Sequence, residues 1–174
     1  MKKTAIYVAL AALIAALYAV LTIFLWEFSS LAIQVRVSEA LTVLPAMFSS
    51  AIPGVTIGCV IANLIAGNVI DAIFGSLTTL LAAVLTRILA KKFTGKLSFL
   101  LYPLPPVLLN ALVIPFILYY GYGITSMGNV TATYGVLGLM ALSVFIGEAI
   151  SCYALGIPLY LALKKVKSLR SAKA

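Results

Sequence analysis

The chain has 174 residues, of which 64% are hydrophobic and only 9% charged, with a formal net charge of +8; its mean hydropathy is +1.19. A soluble domain carries roughly 25% charged residues, so this chain has too few polar groups to cover a water-facing surface and must use lipid as its solvent. The basic residues sit at the ends of apolar runs, which points to membrane orientation and away from nucleic acid.

The sequence contains no histidine and no Cys or Asp/Glu spacing that would bind a metal. Gly95-Lys96-Leu97 lacks the upstream glycine and the hydroxyl of a phosphate-binding loop, so ATP hydrolysis by this chain alone is excluded. No cofactor is called for, and no nucleophile stands with an oriented base. Cys59 and Cys152 both lie inside apolar segments and read as buried small side chains, not as a disulfide.

In chain order, the first apolar run extends from about Thr4 to Trp26, long enough to span a bilayer, and lacks a small-residue cleavage site. Ala5, Ala9, Ala12, Ala16 and Ala19 recur along one helical face. Such a small-residue stripe lets another helix backbone approach closely, either within the bundle or on a separate membrane subunit. After a connector come two short apolar segments, Ser38–Ala51 and Gly54–Ala66, separated by Ile52-Pro53. Counting them as two spans gives six in all. Lys2, Lys3, Arg87, Lys91, Lys92, Lys96, Lys164, Lys165, Lys167, Arg170 and Lys173 then fall on one side and only Arg36 on the other. The positive-inside rule therefore predicts an all-α bundle of six transmembrane helices with both termini cytoplasmic, organised as a single integral membrane domain over 1–174.

Gly54, Gly58, Ala62 and Ala66 give the third helix a tight packing face. The fourth helix starts at Asp71, whose carboxylate suits a helix N-terminus, and ends in basic residues. The fifth covers about Tyr102–Tyr120, a polar outer loop follows over Gly121–Thr133, and the sixth runs from about Tyr134 to Leu163.

The polar residues gather on the outer side. Glu27, Glu39, Asp71 and Glu148 lie there or near the midplane, with Asn63, Asn68, Trp26, Tyr119 and Tyr120. Asn110 and Glu148 sit roughly 15 Å inside their helices at 1.5 Å per residue. A charge at that depth costs at least ~2.5–3.5 kcal/mol and normally faces a cavity or a partner, so Glu148 is the first site candidate. Arg36 and Glu39 in QVRVSEALTVLP either pair at the surface or belong to the rim of the site. Together these residues predict an outward-facing acidic pocket for a flat, hydrogen-bonding, cationic small molecule.

The segments VRVSEALTVLPAMF, AIPGVTIGCVIANLIAGNVIDAIFGSLTTLLAA and IGEAISCYALGIPL, with the size and six spans, resemble the queuosine-precursor transporter (QueT) family. Its members are substrate-binding S components of energy-coupling factor (ECF) transporters. The resemblance implies a bacterial multi-pass membrane protein that works with an ECF transmembrane coupling subunit and two ABC-type ATPases. The cargo it implies is a 7-deazaguanine such as 7-aminomethyl-7-deazaguanine, or queuine. It also implies docking to the coupling subunit through alanine pairs, matched here by Ala5–Ala9, Ala12–Ala16 and Ala11–Ala15–Ala19. Within that reading, Glu148 or Glu39 takes the ring edge, Asp71 the amine, Asn110 and Asn63 other ring positions, and Trp26, Tyr119 or Tyr120 stacks, with Arg36 at the rim. Rival readings are an S component for another vitamin or nucleobase, a stand-alone proton-coupled transporter, and a membrane assembly protein without a ligand.

Overall fold

A computed structural model describes residues 2–25 and 35–166. Trp26, Glu27 and Gln34, and the basic residues Lys167, Arg170 and Lys173, lie outside the described residues. The described chain is a helical bundle. Four helices are long and apolar enough to cross a membrane: α1 (Lys3–Phe24), α4 (Asp71–Lys92), α5 (Ser98–Gly121) and α6 (Thr133–Lys165). Two are shorter and apolar: α2 (Val37–Ala46) and α3 (Ala51–Ile65).

The break between α2 and α3 does not fall at Ile52-Pro53, as the sequence suggests, but at Met47–Ser50. Pro53 sits in the first turn of α3, where its missing N–H would have no intrahelical partner anyway. Pro45 lies inside α2, one residue before its end. α2 is wound as a 3₁₀ helix over ten residues, an unusual length for that geometry.

The contacts of α2 explain the tight winding. At its start Arg36 bonds Asp71, the first residue of α4, at 3.0 Å. At its end the Pro45 and Ala46 carbonyls accept from the Arg87 guanidinium, each at 3.3 Å. A cation on the last carbonyls of a helix also complements its dipole. Between these clamps α4 rises about 24 Å at 1.5 Å per residue. Ten residues of α2 cover about 20 Å at the 3₁₀ rise of 2.0 Å, where an α-helix would cover about 15 Å. The longer rise lets a short segment run alongside α4 from one clamp to the other.

Contacts elsewhere fix the direction of each helix. α1 and α3 run parallel, with Gly54 against Ala11 and Ile14 and Gly58 against Ala15 and Tyr18. A Cβ on Gly58 would stand 2.7 Å from the Ala15 carbonyl oxygen and from Tyr18 Cβ, so the expected glycine face of the third helix is real. α2 also runs parallel to α6, since the Glu39 carbonyl meets Cys152 and Ala40 meets Gly156. α5 is antiparallel to α6 through Asn110–Glu148, Tyr119–Thr133 and Leu100–Tyr153. It is antiparallel to α4 through Thr86–Tyr102 at one end and Asp71–Tyr122 at the other. Odd-numbered helices thus run one way and even-numbered helices the other.

The alanine stripe divides. Ala5, Ala9, Ala12 and Ala16 are exposed on the outside of the bundle, and Ala19 is buried. The α1 face that meets α3 is instead Ala11, Ile14, Ala15 and Tyr18. Both cysteines are buried and free, as expected from their apolar settings.

Candidate functional site

Polar side chains enter the bundle interior from all six helices. Most are buried, and they form two groups separated by the backbone of α2.

The first group belongs to α1–α4. Tyr18 is 1% exposed and Glu39 2% exposed, and the Tyr18 hydroxyl donates to Glu39 Oε1. One turn along α1, Thr22 donates to Ser38 at 2.8 Å, so two consecutive polar positions of α2 are tied to α1. On α3, Asn63 Nδ2 donates to Cys59 Sγ at 3.3 Å, and Thr79 of α4 reaches the same sulfur at 3.6 Å. Asp71 holds Arg36, the one ion pair among the described residues. Its backbone N–H points to the hydroxyl of Tyr122 at 3.4 Å. Tyr122 lies beyond the end of α5, and burial raises its phenol above the ordinary range while the Asp71 backbone contact opposes that rise.

Four buried polar atoms in this group have no hydrogen-bond partner among the described residues: the acceptors Glu39 Oε2, Asn63 Oδ1 and Asp71 Oδ1, and the Ser76 hydroxyl, which can donate or accept. A buried acceptor left unpaired costs about 1–3 kcal/mol, and native interiors contain few of them. Here three occur on neighbouring helices, and each belongs to a residue that uses its other polar atom on the protein.

The second group belongs to α5 and α6, and it is closed. Asn110 Nδ2 donates to Glu148 Oε1 at 2.9 Å, and the Cys152 thiol lies 3.8 Å from Oε2. Cys152 also approaches the Glu39 carbonyl at 3.4 Å and the Thr42 hydroxyl at 3.6 Å, so it joins the two groups. It sits in Ile150–Gly156, where α6 widens into π-helical winding. The same winding occurs at Asp71–Gly75 and at Ile117–Gly121, and such wide turns are frequent at functional sites.

A family model matches residues 8–165, nearly the whole chain, and its description is QueT transporter. The chain belongs to the QueT transporter family. No curated protein and no solved structure matches the chain. Membership makes it a membrane transporter with a small-molecule substrate.

The structure redistributes the residues that sequence reasoning selected for this QueT site. Arg36 and Glu39 are not a surface pair: Arg36 bonds Asp71 and Glu39 bonds Tyr18. Three residues apart on one turn, they are drawn to different helices, and removing either partner would leave a buried polar group uncompensated. Glu39 is likewise not a rim residue, because at 2% exposure it is inside the bundle. Asp71 occupies the first turn of α4 without a capping hydrogen bond, its carboxylate being engaged with Arg36 instead. Asn63, Asn110 and Glu148 are buried as expected. Tyr119 bonds the Thr133 hydroxyl at 2.9 Å, whereas Tyr120 is 69% exposed and stacks on Phe116. Trp26 lies outside the described residues.

Sequence reasoning missed Tyr18, Cys59, Thr79 and Cys152 as polar partners. Two of them carried a signal, since Cys59 precedes Asn63 by four residues and Cys152 follows Glu148 by four, which places each pair on one helical face. Tyr18 carried a weaker one, lying on the Ala11–Ala15 face and not on the exposed alanine stripe.

A cavity of about 250 Å³ lies between α1 and α3, lined by Thr22, Ile23, Ala62, Ile65 and Ala66. Its single hydroxyl is already engaged with the Tyr18 carbonyl at 2.9 Å and the Ser38 hydroxyl at 2.8 Å. It therefore offers no hydrogen-bond donor that could orient a polar ligand.

Proposed function

We propose that this chain is the substrate-binding S component of an ECF-type ABC importer and that it takes up a queuosine precursor. The cargo would be a 7-deazaguanine such as 7-aminomethyl-7-deazaguanine, or queuine, bound from the outer face of the bacterial cell membrane. The observation that carries this reading is the chemistry of the unpaired atoms. Three of the four, Glu39 Oε2, Asn63 Oδ1 and Asp71 Oδ1, are acceptors only, and the Ser76 hydroxyl serves either way, so the ligand that completes them is rich in donors. A 2-aminopyrimidinone edge presents adjacent N–H donors that a carboxylate accepts, and an aminomethyl group adds a cation. Glu39 is better placed for the ring edge than Glu148, whose two oxygens already have protein partners.

Six crossings with both termini cytoplasmic fit the alternating helix directions and the run of α2 beside α4. An S component also needs a coupling subunit and two ATPases, since this chain has no phosphate loop. The exposed alanines Ala5, Ala9, Ala12 and Ala16 supply a smooth outer face that a partner helix can approach closely. They lie outside the bundle's own packing, in which Ala11 and Ala15 meet α3 instead.

Mass spectrometry of small molecules retained through gentle purification tests the cargo; a retained 7-deazaguanine is expected, and recovery of a different vitamin would redirect the assignment. For the partner, Ala12→Trp should abolish co-purification with the coupling subunit while 7-deazaguanine affinity persists. Uptake by the isolated chain in proteoliposomes under a proton gradient, without any ATPase, would instead support a stand-alone transporter.

A further inference from the structure

Asp71 uses its two carboxylate oxygens unequally. Oδ2 takes the Arg36 guanidinium at 3.0 Å, while Oδ1 is buried and has no partner among the described residues. Oδ1 is folded back along the wide turn Asp71–Gly75, over Gly75. A Cβ built on Gly75 would stand 2.9 Å from Oδ1 and 3.4 Å from Asp71 Cγ, and the three nearest atoms all belong to Asp71. Glycine inside a helix is disfavoured relative to alanine, and φ at this position is the ordinary −63° of a helix. No backbone strain therefore calls for glycine here. The one thing that a side chain would disturb is the carboxylate of Asp71.

We propose that Gly75 is a positioning residue for ligand specificity: the space it leaves lets Asp71 Oδ1 stand apart from Arg36 and accept from a protonated amine on the ligand. The inference rests on the transport reading above and adds a preference to it. Arg36 compensates the charge of Asp71 through one oxygen, and Glu39 lies within electrostatic reach of both residues. An ammonium group supplies Oδ1 with a charge-assisted hydrogen bond, which a neutral substituent cannot. A neutral substituent at the same position leaves Oδ1 buried and unpaired, and a site built to hydrogen-bond a substituent rejects the analogue that lacks it. The preferred cargo is accordingly an amine-bearing 7-deazaguanine, in preference to its neutral nitrile counterpart.

The test measures the affinity of purified protein for 7-aminomethyl-7-deazaguanine and for 7-cyano-7-deazaguanine. Wild type, Gly75→Ala and Gly138→Ala are compared; Gly138 is a helical glycine of α6 whose added Cβ meets nothing within 4 Å. Wild type and Gly138→Ala should prefer the amine by about ten- to a hundredfold, the range of one charge-assisted hydrogen bond. In Gly75→Ala that ratio should collapse towards one while the unfolding midpoint stays level or rises, since alanine favours the helix. A loss of general packing would lower both affinities together and would not move their ratio. Should Gly75→Ala fail to fold, Asp71→Asn supplies the same readout, because it removes the charge while keeping the side chain's shape. Equal affinity for both compounds in wild type, or a preference that survives in Gly75→Ala, would overturn the inference and leave the transport reading standing. Failure of wild type to bind either compound would overturn both.

Discussion

The two halves of the polar interior contain similar residues in opposite states. In the α5–α6 hairpin, Asn110 donates to one Glu148 oxygen and the Cys152 thiol lies 3.8 Å from the other. In the α1–α4 half, Glu39, Asn63 and Asp71 each use one polar atom on the protein and hold the other without a partner among the described residues. A satisfied buried pair fixes the register of two helices. A half-satisfied one sacrifices stability, and persists where function requires a free valence. Depth alone therefore does not identify the ligand contact: Glu148 is deep and engaged, while Glu39 is equally buried and half free.

The largest effect should come from the frame of the open half. Gly58→Leu forces a side chain onto the Ala15 carbonyl and Tyr18 and should cost about 3 kcal/mol or more, since overpacking against backbone cannot relax. Gly138→Leu, on the outside of α6, should stay within about 0.5 kcal/mol. Thermal unfolding in detergent reads both, and equal losses would mean that the α1–α3 seam is no tighter than the bundle surface.

Next comes ligand affinity. Glu39→Gln should weaken 7-deazaguanine binding by up to about a hundredfold, the worth of a strong hydrogen bond to a charged group. Glu148→Gln should cost about fivefold or less, because its oxygens already serve Asn110 and Cys152. Isothermal titration would decide, and the reverse order would move the ligand seat into the α5–α6 half.

The smallest effect concerns the closed pair. Asn110→Leu leaves Glu148 Oε1 unpartnered and should lower stability by about 1–2 kcal/mol. Combining it with Glu148→Leu should restore most of that loss, since replacing both members of a buried polar pair by apolar groups is close to neutral. Failure to recover would show that Glu148 serves a further partner, and the contrast between the halves would weaken.

Much of the bundle was legible in the sequence because its determinants are local. Apolar run length sets the long helices, basic clusters mark one side, and the Gly54–Gly58 repeat marks a helix face that α1 does approach. The α2–α3 break was misplaced at Pro53 because proline is a signal for two different positions, the end of one helix and the first turn of another. The 3₁₀ winding of α2 had no sequence signal. It follows from clamps to Asp71 and Arg87, which lie 35 and about 41 residues away along the chain.

The candidate site divides in the same way. That Glu39, Asp71 and Glu148 are unusual follows from the cost of an acid in an apolar chain, and the sequence by itself was enough to single them out. Which acid is already paired was decided by tertiary structure alone, since Tyr18 reaches Glu39 across 21 residues and Asn110 reaches Glu148 across 38. The sequence determined a lipid-solvated helical bundle, because hydropathy acts within single segments. Only the packed structure decided that the exposed alanines and the buried ones are different sets, and that Asp71 keeps one oxygen free above Gly75. Both depend on how one helix is rotated against another, and no single helix's sequence contains that angle.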